Sequence, residues 1–179
     1  MSASQKLTLA RIVAIILVIA ISLFVYSIRE QADKYAIYGY PGIMIIAFLA
    51  YATVLLPAPG MAVILTVGAV FHPLGVALAA GLGAALGELT GYLAGFSGRA
   101  VIEKRELFIK LSSWMQQKGP ITILILSALP NPFFDLAGVA AGVLKMPLHI
   151  FLFWCWIGET IKMGLFSYLG NTLIFRFIK

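Results

Sequence analysis

Apolar and polar positions follow one another along this chain in long blocks. The first block, "IVAIILVIAISLFVYSI" from Ile12 to Ile28, holds 17 residues and no charge. That meets the lower bound of the roughly 17–25 residues a membrane-crossing helix needs. Lys6 and Arg11 precede it, as in a signal peptide. The block is longer than a cleaved apolar core, however, and "REQADKY" after it offers no small-residue cleavage site. A retained transmembrane helix is expected, followed by a polar connector, Arg29 to Tyr40.

Pro41 to Phe71 then runs for 31 residues without a charge, interrupted by "LPAPG" at Leu56 to Gly60. Leu74 to Phe96 carries a single charge, Glu88. Ser97 to Gly119 is the most polar segment. Its Val101, Ile102, Phe108, Ile109, Leu111 and Trp114 recur at roughly helical spacing among Arg99, Lys104, Arg105, Lys110 and Lys118. That pattern suits an amphipathic helix lying in a membrane interface, or else a solvated connector. Ile121 to Leu144 is apolar but broken by "LPNPFFDLAG", and Ile150 to Gly170 contains Glu159 and Lys162. "NTLIFRFIK" follows as a tail.

The two broken blocks belong to an internal repeat. "LPAP" at Leu56 pairs with "LPNP" at Leu129, an offset of 73. "GAVFHPL" at Gly68 pairs with "GVLKMPL" at Gly142, and "GE" at Gly87 with "GE" at Gly158, at offsets of 74 and 71. Each repeat is a proline-broken apolar segment, a Pro-Leu turn and a helix with a glutamate in its middle. The repeats span residues 41–96 and 120–170 within one membrane domain, 41–170, with 1–40 before it and 171–179 after it.

Paired, Pro/Gly-interrupted apolar segments point to a transporter site. A proline inside a helix costs about 3 kcal/mol or more, and backbone groups freed in hydrocarbon cost several more unless protein or a water-filled cavity satisfies them. Pro57, Pro59, Pro130 and Pro132 mark the breaks. Ile121 to Leu129 makes only about 14 Å of helix, roughly half a hydrocarbon core. Each broken segment is therefore either a re-entrant hairpin, which inverts the second repeat relative to the first, or a kinked span, which keeps the repeats parallel. The positive-inside rule does not choose. Hairpins with an internal N-terminus leave 8 Lys/Arg inside and 4 outside, kinked spans with an external one 9 and 3. Both put residues 97–119 in the cytoplasm.

Composition supports the membrane reading. The chain is 61% apolar and 11% charged, with a mean hydropathy of +1.00, where soluble domains carry about 25% charged residues. A net charge of +6 raises nucleic acid as a partner. The basic residues sit in short segments between apolar runs with no basic face or stacking module, which fits anionic headgroups instead. Cys155 is alone, and His72 and His149 have no metal spacing. Ser127 and Ser167 have no histidine that the sequence can place beside them, so no enzyme chemistry, metal or cofactor is expected.

Charges inside apolar runs cost about 2.5–3.5 kcal/mol at a bilayer centre and mark function by default. Glu159 and Lys162, three apart, can pair on one helix face. Glu88 has no basic neighbour on its own helix. It must be protonated, reach water or find a partner elsewhere, and the proton is the one coupling ion this suggests. Asp135, three residues after Pro132, is placed to cap a half-helix. Gly83, Gly87, Gly91 and Gly95 recur every four residues, making a smooth face for close helix approach beside Glu88.

"PAPGMAVILTVGAVFHPLGVALAAGLGAALGELTGYLAGFSGR" and "LPNPFFDLAGVAAGVLKMPLHIFLFWCWIGETIKMGLFSYLG" resemble the DedA family, also known as the VTT-domain or SNARE-associated Golgi protein family. The resemblance covers about Pro41 to Gly170. It implies an all-α integral membrane protein with two re-entrant hairpins as inverted repeats, preceded by an N-terminal transmembrane helix. It also implies phospholipid scrambling, polyprenyl-phosphate recycling or proton-dependent export. The acidic residues implicated in the first half of many members fall by position on Glu88. Many bacterial members carry arginines around the second break, whereas this chain has Asn131 and Asp135. A positive field for phosphate would have to come from Lys145, Lys162 or half-helix N-termini.

The expected function is translocation or scrambling of lipids along a path formed by Glu88, Asp135, Asn131, Glu159 and Lys162. Arg99 and Lys145 would lie at the headgroup interface. Membrane lipids are the expected partners, and the reading allows a homo-oligomer. The alternatives are a proton-coupled exporter of a small solute and a structural scaffold docking through residues 97–119.

Overall fold

The computed structural model describes Ile16 and residues 32–52, 57–98, 105–130 and 134–177. The expected helix over Ile12 to Ile28 lies outside the described residues, Ile16 apart, as do Arg99, Asn131 and Pro132. The described helices are α1 (Ala32–Ala52), α2 (Pro57–Val70), α3 (Pro73–Gly87), α4 (Leu89–Phe96), α5 (Arg105–Ala128), α6 (Phe134–Val143) and α7 (Leu148–Phe177). There is no strand among the described residues.

Proline starts helices here more often than it interrupts them. Pro57 and Pro59 lie in the first turn of α2 and Pro73 opens α3 behind an extended His72, positions whose N–H groups have no intrahelical acceptor anyway. Pro57 and Pro59 are thus both part of a described helix. In α5 the chain leaves helical geometry at Lys118 (φ −143°, ψ 51°). Pro120 thus falls in the first turn of a second piece, and Thr122 Oγ1 donates to the Lys118 carbonyl at 3.0 Å. Pro41 alone lies well inside a continuous helix. Two expected boundaries move. The connector is helical from Ala32, and α7 runs through the expected tail to Phe177.

α3 and α4 meet at Glu88 with little loss of helical bonding. The Glu88 N–H reaches the Ala84 carbonyl at 2.9 Å and the Glu88 carbonyl accepts from Tyr92 N–H at 3.2 Å. Thr90 Oγ1 donates to the Gly87 carbonyl at 3.0 Å. Pro73–Phe96 and Leu148–Leu173 are long and apolar enough to cross a membrane. Their outer faces carry exposed stripes: Leu74, Leu78 and Leu82 on α3, and Ile161, Leu165, Leu169 and Leu173 on α7. Stripes of this size belong against lipid rather than water.

Directions follow from which residues touch. Gly75 lies against the Tyr40 ring, Gly83 against the Met44 carbonyl and Gly87 against the Phe48–Ala52 backbone, so α1 and α3 run the same way. The chain from Ala52 to Pro73 must then travel back from the level of Gly87 to that of Gly75, about 18 Å at 1.5 Å per residue. The second half repeats this. Gly119 lies by Met146 and Gly158 by Leu124 and Ser127, so the second piece of α5 parallels α7 and α6 carries the chain back. Between halves the sense reverses. Gly81 faces Thr160, and Ser167 Oγ donates to the Pro73 carbonyl at 3.0 Å, so α3 and α7 are antiparallel.

The four-residue glycine spacing serves two neighbours. Gly83 and Gly87 admit the α1 backbone, whereas Gly91 and Gly95 face Asp135 and Val139 on α6. A Cβ at position 83 would meet the Met44 carbonyl, an atom that cannot swing away. Gly83→Val is accordingly expected to destabilise the protein by about 1–3 kcal/mol, read as a lower unfolding midpoint in detergent.

Candidate functional site

Two apolar cores divide the molecule. One gathers Ile43, Ala47, Val67, Val76, Ala80 and Met163, the other Tyr92, Ile123, Phe134, Ala140, Phe151 and Cys155. On α7, Glu159 and Lys162 lie between Cys155 of one core and Met163 of the other. On the α3–α4 joint, Glu88 lies between Ala84 and Tyr92. The charges therefore collect at the seam between the two cores.

Glu159 is fully buried, and Glu88 and Lys162 are each 4% exposed. Lys162 Nζ donates to Glu159 Oε1 at 2.6 Å and stands 5.0 Å from the centroid of the Tyr51 ring. The i,i+3 pair read from the sequence is thus formed. Glu159 Oε2 has no hydrogen-bond partner among the described residues, nor has the buried Tyr51 hydroxyl or Thr160 Oγ1. Such orphaned atoms cost about 1–3 kcal/mol each unless water or a ligand satisfies them.

Glu88 lies within range of the charges of Glu159, Asp135 and Lys162, and Tyr51 within range of Glu159, Glu88 and Asp135. Asp135 is solvent-exposed in the first turn of α6. There its charge favours the helix dipole.

Of the expected path residues, Glu88, Asp135, Glu159 and Lys162 come together. Pro130 follows the end of α5 in non-helical backbone. Lys145 lies apart, exposed in the α6–α7 turn, where Met146 N–H donates to the Ala141 carbonyl and Lys145 N–H to that of Gly142, both at 3.0 Å. These two bonds close the end of α6 around a left-handed Lys145 (φ 53°), and Tyr92 Oη donates to the Met146 carbonyl at 2.6 Å. Tyr51 carries no mark of its own in the sequence, because a tyrosine in an apolar run resembles any interfacial aromatic. Among the described residues no group of three or more His, Cys, Asp or Glu is arranged to hold a metal ion.

Among the described residues the arrangement leaves a carboxylate oxygen, a tyrosine hydroxyl and a threonine hydroxyl buried and unengaged inside an apolar bundle. A family model described as the VTT domain matches residues 58–172, a span that includes Glu88, Asp135, Glu159 and Lys162 but not Tyr51. No curated protein and no solved structure matches the chain.

Proposed function

We propose that this chain, which belongs to the VTT-domain family, is a multi-pass membrane transporter that moves lipids of the phospholipid or polyprenyl-phosphate type between leaflets. It is not an enzyme in this reading, its partners are membrane lipids, and residues 97–119 face the cytoplasm. α1–α2 and the second piece of α5 with α6 act as two re-entrant hairpins of an inverted repeat. The antiparallel α3 and α7, together with the return of the chain in each half, support that arrangement over kinked spans.

One observation carries the proposal. Glu88, Glu159, Lys162 and the exposed Asp135 lie within electrostatic range of one another, in a bundle whose outer faces are leucine and isoleucine. A headgroup crosses along this seam while its acyl chains stay in the surrounding lipid. Acidic groups at membrane depth are otherwise an uncompensated expense in folding free energy.

Proteoliposomes loaded with acyl-labelled phospholipid and exposed to a membrane-impermeant quencher test this. The wild type is expected to bring inner-leaflet label to the quencher at least tenfold faster than empty liposomes. Glu88→Gln and Asp135→Asn should lower that rate several-fold. No movement above empty liposomes, for phospholipid and polyprenyl phosphate alike, would remove the lipid reading. Proton-driven solute export that Glu88→Gln abolishes would replace it.

A further inference from the structure

The way Lys162 is held describes a ligand. Its ammonium lies against one oxygen of a fully buried glutamate and 5.0 Å from the centroid of the Tyr51 ring. A carboxylate and an aromatic ring are the two groups that together recognise an alkylammonium ion. The second oxygen of the same carboxylate, Oε2, is buried and has no hydrogen-bond partner among the described residues, as is the Tyr51 hydroxyl. Lys162 thus occupies only part of what is built around it.

From this geometry we infer that Glu159 and Tyr51 form a binding site for the ammonium group of a zwitterionic lipid, and that Lys162 holds the site as an internal stand-in until the lipid arrives. The inference rests on the lipid-translocation reading and narrows its substrate. On entry, the lipid ammonium takes the Glu159 carboxylate, and Lys162 turns to the lipid phosphate. One ion pair becomes two, with no change in the net charge of the seam.

Charge decides between headgroups. Among the described residues, three carboxyl groups (Glu88, Asp135 and Glu159) lie within electrostatic range of one ammonium, Lys162, and only Glu159 touches it. A zwitterion adds nothing to that imbalance. A phosphoglycerol or polyprenyl-phosphate head brings no ammonium to replace Lys162 at Glu159, so drawing Lys162 to its phosphate leaves that buried carboxylate without its cation, a strongly unfavourable state. Nothing on α6 offsets it, because the first turn of that helix presents Asp135.

The measurement is a ratio of rates in one proteoliposome preparation, for acyl-labelled phosphatidylethanolamine, phosphatidylcholine and phosphatidylglycerol. In the wild type the two ammonium-bearing lipids are expected to move at least tenfold faster than phosphatidylglycerol. Glu159→Gln should bring the ratio toward one. Tyr51→Leu should lower it, with Tyr51→Phe recovering most of what leucine loses, because the ring rather than the hydroxyl faces the ammonium. Equal wild-type rates for all three lipids would overturn the ammonium site while leaving translocation in place. Absence of movement for every lipid would overturn both. The wild-type ratio requires no variant, so a variant that fails to fold does not blunt the test.

Discussion

Replacing Lys162 by methionine is expected to destabilise the protein by about 3–5 kcal/mol, the usual result of removing one partner from a buried ion pair. Lys162 Nζ is the only group that hydrogen-bonds the Glu159 carboxylate among the described residues, and its other oxygen is already without a partner. Methionine keeps much of the stem volume, so the loss reports charge more than packing. The ammonium also lies near the Tyr51 ring, a contact that adds about 0.5–2 kcal/mol depending on how fully it is desolvated. The double variant Glu159→Gln/Lys162→Met should recover most of the loss, because removing both charges leaves no bare ion behind. The comparison is a double-mutant cycle of unfolding in detergent. A Lys162→Met protein within about 1 kcal/mol of the wild type would mean that water or another group supports Glu159. That result would also remove the ground for treating the pair as a closed seat that a headgroup enters.

The charged residues of this seam were legible in the sequence because lipid makes them conspicuous. Glu88, Asp135, Glu159 and Lys162 each interrupt an apolar run, and such interruptions need a reason. Their convergence was not legible. The glutamates are related by an internal offset, yet an offset gives no direction, and parallel and inverted repeats present the same string of residues. Direction appears only when Gly81 is seen against Thr160 and Gly83 against the Met44 carbonyl. Apolar periodicity could not supply it, since both the buried and the lipid-facing sides of these helices are hydrophobic, as Val76 and Leu78 show on α3.

Helix ends misled the reading for a related reason. Asp33 and Lys34 mark a change in polarity yet already lie within α1. The prolines at 57 and 59 signal a discontinuity, yet both lie within α2, since proline tolerates a first turn. Lys118 gave no sequence signal of its own. The kink there becomes intelligible through Pro120, whose ring would collide with the carbonyl four residues earlier in an uninterrupted helix. The family resemblance supplied the hairpin geometry that periodicity and charge counts left open.

That geometry predicts an all-or-none labelling pattern. His72 stands in the turn between α2 and α3, and Lys145 in the corresponding turn between α6 and α7; both are exposed. If each broken segment returns to the side it entered from, one further span separates the two turns, and they lie on opposite faces of the membrane. Kinked spans would place both turns on the same face, because two crossings then separate them. Cys155 is the sole cysteine and is fully buried, so a Cys155→Ala background gives clean single-cysteine variants at small cost in packing. In sealed vesicles of one orientation, a membrane-impermeant thiol reagent should label His72→Cys or Lys145→Cys, but not both. Ser113→Cys, exposed on the polar piece of α5, should share the sidedness of Lys145→Cys, since a returning hairpin alone lies between them. Labelling of both turns from one side would make the second broken segment a true crossing and α3 and α7 parallel, against the antiparallel contacts between them. A lipid path formed by two facing hairpins could not survive that result, whereas labelling from opposite sides would make α3 and α7 the two membrane spans around which the seam is built.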